Sequence, residues 1–128
     1  MNNKRNYKCD DTQYEDLVPA LTAWLNQNNF DTQVLQTPEG KTLVQLSKHG
    51  GWRKAIGMST ALNVLLSHHG SALTVEVGAG RWIDKAAAGT ISIFILWPLM
   101  VTAAIGTWNQ IKMPEKVFGF IGQLLENL

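Results

Sequence analysis

Leu62-Asn63-Val64-Leu65-Leu66-Ser67-His68-His69-Gly70-Ser71-Ala72-Leu73-Thr74-Val75-Glu76-Val77-Gly78 decides how this chain folds. Before His69-Gly70, the apolar Leu62, Val64 and Leu66 alternate with Asn63, Leu65 and Ser67. After it, Leu73, Val75 and Val77 alternate with Thr74, Glu76 and Gly78. A period of two sends successive side chains to opposite faces, so the pattern predicts an antiparallel hairpin with one apolar and one mixed face.

Upstream, residues 30–37 read as a strand with Val34 and Leu35 on opposite faces. Pro38-Glu39-Gly40 is a turn signal, and residues 42–48 form the returning strand. His49-Gly50-Gly51 breaks the pattern, and residues 52–57 fit either a short third strand or a loop covering an edge. Leu17, Leu21 and Leu25, widened by Val18 and Trp24, make one helical stripe. Thr12 and Glu15 have capping-box spacing, but Pro19 is best tolerated in a first turn, so the regular helix is expected over 16–28. Residues 1–11 read as a flexible polar lead. Residues 12–80 then make a two-layer α+β domain, whose core is small enough to need support from the rest of the chain or from an oligomer.

Downstream, residues 86–111 contain no Asp, Glu, Lys, Arg or His. As a helix, residues 86–108 would reach roughly 34 Å, enough for a hydrocarbon core of about 30 Å. Phe94 lies in the apolar centre, Trp97-Pro98 would mark a kink, and Trp82 and Trp108 sit where interfacial aromatics belong. The soluble alternative buries this stretch between subunits or breaks it into two short helices at Pro98. After Lys112-Met113-Pro114, the residues Val117, Phe118, Phe120, Ile121, Leu124, Leu125 and Leu128 form a broad apolar arc. Such an amphipathic helix either lies in a membrane interface or packs on its own domain. The expected fold is therefore α+β: an N-terminal helix packed on a small antiparallel sheet of two hairpins, then a long hydrophobic helix kinked at Pro98 (within 81–112, transmembrane), then a short amphipathic helix over 113–128.

Composition narrows the chemistry. The 128 residues carry a formal charge of +1, which gives no global field to recruit nucleic acid or anionic lipid. One cysteine, Cys9, allows no internal disulfide and fits a reduced cytoplasm. The basic N-terminus leads into no apolar run, so no cleavable secretory signal is expected. His68-His69, on adjacent strand positions, face opposite ways near a turn and are expected in solvent. Without an HxH, CxxC or HExxH spacing, neither a metal site nor a catalytic pair is expected, and the scattered glycines form no phosphate-binding loop. No catalytic, cofactor-binding or metal-binding residue is assigned, and no cofactor.

Several of these residues, Leu43-Val44-Gln45, Trp52-Arg53-Lys54, Gly57-Met58-Ser59-Thr60-Ala61-Leu62, Leu73 to Gly78 and Gly80-Arg81-Trp82-Ile83-Asp84-Lys85, together with Leu96-Trp97-Pro98-Leu99 and Lys112-Met113-Pro114, carry a resemblance. The chain resembles a family of small uncharacterised bacterial proteins, with cyanobacterial and Gram-positive members, that join an α+β domain to a hydrophobic C-terminal segment. Some relatives add a zinc ribbon, whose cysteines are absent here. The resemblance implies a bacterial origin and no activity.

The function expected is a non-enzymatic, membrane-anchored adaptor or small subunit of a membrane-associated complex, at the cell membrane with its N-terminal domain cytoplasmic. The alternative is a soluble, cytoplasmic homo-oligomer or lipid-binding protein. Membrane or partner contacts are expected at Trp82, Phe94, Trp97, Pro98, Trp108, Phe118, Ile121 and Leu125. Lipid headgroups would meet Trp52, Arg53, Lys54, Arg81 and Lys85. The expected partners are lipid and a protein or a second copy, with neither nucleic acid nor metal.

Overall fold

The computed structural model describes residues 4–37, 39–48, 60–81 and 112–127. They form strand β1 (Lys4–Lys8), helix α1 (Asp11–Gln27), strands β2 (Phe30–Gln36), β3 (Thr42–Lys48), β4 (Thr60–His69) and β5 (Ala72–Arg81), and helix α2 (Met113–Asn127). The strands make one antiparallel sheet in the order β1-β5-β4-β3-β2.

This corrects the fold expected from the sequence. The sheet has five strands, because Lys4–Lys8, expected as a flexible lead, pairs with β5 from Lys4↔Glu76 to Lys8↔Ala72. The C-terminal helix is an integral part of the core. Among the described residues no helix is long and apolar enough to cross a membrane. The helix expected over 86–108 is no part of the described fold, and those residues lie outside it, as do residues 52–57.

The turn between β4 and β5 follows from its residues. His69 pairs with Ala72, leaving Gly70-Ser71 as a two-residue loop, and Gly70 adopts φ 60°. A positive φ at the first loop position matches the right-handed twist of the strands, and glycine reaches it without a Cβ clash.

Helix α1 starts earlier than the Thr12/Glu15 spacing suggested. Asp10 is the N-cap: its carboxylate accepts from the Gln13 N–H at 2.7 Å, and the Gln13 side chain accepts from the Asp10 N–H at 2.9 Å. Pro19 is inside the helix, at a cost in one backbone hydrogen bond. The helix stops where Asn29 turns left-handed (φ 67°) and the Asn28 amide donates to the Trp24 carbonyl at 2.7 Å.

Both helices lie on one face of the sheet, α1 against β2 and β3 and α2 against β5 and β1. Leu17, Leu21 and Leu25 of α1 and Val117, Phe118 and Ile121 of α2 meet Val44, Leu46, Leu62, Val64, Leu66, Leu73 and Val75 in a continuous buried cluster. Each fully buried leucine contributes roughly 2 kcal/mol of apolar transfer, so this cluster stabilises the described fold substantially. On the opposite face Leu35, Leu43, Ala61 and Leu65 are buried too, around the polar Gln45 and Asn63.

Candidate functional site

Among the described residues a groove of about 1000 Å³ opens between edge strand β1 and helix α2. Its β1 wall is Lys4 to Tyr7; its α2 wall includes Lys116, Phe118, Gly119, Phe120, Gln123 and Glu126, with Trp24 of α1 at one end. Three contacts fix its shape. The Tyr7 hydroxyl donates to the Phe118 carbonyl at 3.1 Å. The Arg5 guanidinium lies 4.6 Å from the centre of the Phe118 ring. Trp24 and Phe120 stack with centroids 4.5 Å apart and planes 8° from parallel. A fourth tie anchors the far end of α2, where the Gln13 amide donates to the Leu125 carbonyl at 3.0 Å. Burial raises the Tyr7 phenol, and the Arg5 cation opposes that rise, so the hydroxyl remains a donor at neutral pH.

Charge in the groove is asymmetric. Lys4, Arg5 and Lys116 line it together with one carboxylate, Glu126. Lys4 also pairs with Glu76 at 3.8 Å. Gly119 matters for the opening: a Cβ there would meet nothing within 4 Å, so the missing side chain leaves the α2 wall low.

A second cluster has the residue types of a catalytic triad but not the geometry. His68 Nε2 lies 2.7 Å from the backbone carbonyl of Cys9. A carbonyl only accepts, so Nε2 carries a proton toward it. The ring stacks on Tyr14 at 4.5 Å and 10°, and its Nδ1 is 3.8 Å from the exposed carboxylate of Asp11. The Cys9 thiol points elsewhere, donating to the Asp10 carbonyl at 3.6 Å, and is buried. Burial first, then the carboxylates of Asp10 and Asp11, push that thiol up, the opposite of an activated thiolate. His68 therefore fastens the β1–α1 connection to the sheet. It faces inward, not to solvent as expected, because it shares strand parity with Leu62, Val64 and Leu66; His69 is exposed.

On the other face, Gln33, Gln45 and Asn63 lie directly opposite one another on three adjacent strands. Gln33 donates to Gln45 at 2.7 Å and Gln45 donates to Asn63 at 2.6 Å. With Gln45 and Asn63 fully buried, this amide ladder is satisfied and fixes strand register. No group of three or more His, Cys, Asp or Glu among the described residues could hold a metal ion.

Of the residues expected to contact membrane or partner, Phe118, Ile121 and Leu125 are 3%, 0% and 9% exposed. This is a correction: these three residues are covered by the chain's own sheet and first helix, while Phe120 and Leu124 of the same arc stay partly exposed. Trp82, Phe94, Trp97, Pro98 and Trp108, and the headgroup candidates Trp52, Arg53, Lys54 and Lys85, lie outside the described residues. Arg81 closes β5, with its side chain likewise outside them. Sequence reasoning missed the groove because β1 has no apolar alternation; Tyr7 is its one aromatic residue.

No family model, no curated protein and no solved structure matches this chain.

Proposed function

We propose that the protein is a non-enzymatic interaction module, an adaptor or small subunit of a membrane-associated complex, whose partner seats in the groove between β1 and α2. The observation that carries this reading is the groove itself: a cationic, aromatic-walled channel kept open at Gly119 beside an exposed sheet edge. The groups that resemble catalytic machinery support it by contrast, since Cys9 and His68 are engaged in holding the β1–α1 connection. The uncharged composition of residues 86–111 supports association with a membrane or another subunit.

The test is the native mass and fractionation of the naturally expressed protein, compared with Gly119→Gln, which fills the groove without touching the core. The expected result is an assembly well above 14.2 kDa in the carbonate-extracted pellet, from which the Gly119→Gln chain dissociates while keeping its thermal stability. A wild-type protein running as a free monomer overturns the reading. A detergent-free assembly made only of copies of this chain overturns the adaptor role in favour of a homo-oligomer.

A further inference from the structure

We propose that the occupant of this groove is an extended, carboxylate-bearing peptide segment that adds to the sheet as a sixth strand along β1. The inference deepens the interaction-module reading and rests on it. Its first support is the orientation of the β1 backbone. The Cys9 N–H donates inward to the Ser71 carbonyl at 2.9 Å, and β1 pairs with β5 through Tyr7↔Leu73 and Arg5↔Val75. Backbone groups alternate along a strand, so the N–H and C=O of Asn6 and Lys8 point away from β5. Both residues are exposed, and among the described residues no strand pairs with that edge. An outward row of donors and acceptors is what strand addition uses for affinity.

The second support is charge, which also selects the occupant. β1 reads Lys4-Arg5-Asn6-Tyr7-Lys8, and a second copy pairing antiparallel across this edge in the full-length register, centred on Asn6, would set Lys4 opposite Lys8. Like charges directly opposite are destabilising, and edge lysines are a common guard against self-pairing. A strand with carboxylates meets the reverse situation: Arg5 and Lys116 on the groove side and Lys8 along the edge complement it, with Glu126 the opposing charge in the groove. The partly exposed Phe120 and Trp24 rings, stacked on each other at one end of the groove, then receive apolar side chains of the same segment.

The experiment is fluorescence polarisation on the full chain with a labelled peptide of roughly eight residues, alternating glutamate with valine and threonine. The controls are its lysine counterpart, the same acidic peptide N-methylated on alternate residues, and an oligodeoxythymidylate. The acidic peptide is expected to bind, with affinity falling as salt rises, and the lysine peptide not to bind. Asn6→Pro removes one outward N–H at an edge position where proline is tolerated, and is expected to weaken binding by about fivefold or more. N-methylation of the peptide is expected to abolish binding and requires no variant protein, so it decides the matter even if Asn6→Pro fails to fold. Absence of acidic-peptide binding, equal binding of the N-methylated peptide, or binding of the oligonucleotide in its place each overturns the proposal. If Gly119→Gln releases the native assembly while the acidic peptide does not bind, the choice of occupant fails and the interaction module stands.

Discussion

Single side chains in this protein do structural work that their types alone would not announce. Cys9 is the clearest case: a buried thiol held neutral by its surroundings should react slowly. Iodoacetamide at neutral pH should label it only after denaturant is added, and rapid native labelling would show that the connection opens. The sign of its pH effect follows from the same shift. The folded state keeps the thiol proton after the unfolded chain has lost it, so stability is full below the ordinary value of 9.0 and declines as pH rises past it. Tyr7, raised from 10.0, extends the decline. Urea midpoints taken between about pH 8 and about pH 10.5 should therefore fall. In the amide ladder, Gln45→Leu leaves the groups of Gln33 and Asn63 that faced it without that partner, and should cost about 1–3 kcal/mol in chemical denaturation. Gln45 itself was legible only as a polar residue in a strand; its full burial depends on cross-strand neighbours distant in sequence.

At the level of elements, α2 is the one whose role depends most on tertiary contacts. Its amphipathic arc is plain in the sequence, but an arc cannot say whether lipid or protein covers it. The structure answers with Val117, Phe118 and Ile121 buried against the sheet and Gln13 tied to Leu125. Ile121→Ala should thus lower stability by about 2–4 kcal/mol in urea, a loss that an interfacial helix would not show. Gly119→Ala sits in an exposed helix interior with open space around its Cβ and should raise stability by roughly 0.5–1 kcal/mol. The β4–β5 hairpin was readable because apolar alternation and a Gly70 turn agree. Strand β1 was not, since an exposed edge strand needs no apolar pattern and its assignment comes from its partner β5.

For the whole molecule, the proposed function separates stability from recognition. Among the described residues, two helices cover one sheet face in a buried cluster, while the β1 edge and the low wall of α2 leave polar backbone, cations and the Phe120 and Trp24 rings partly accessible. The uncharged run at 86–111 dominated expectations of membrane attachment because its composition is conspicuous. The groove was invisible because it is assembled from residues more than a hundred positions apart, such as Tyr7 and Phe118. Amide hydrogen exchange on the naturally assembled protein, compared with the isolated chain, tests the groove directly. A partner seated there should slow exchange at Asn6 and Lys8 and leave the opposite sheet edge, β2, unchanged. Protection confined to β2, or none at β1, would place the interaction elsewhere on the molecule.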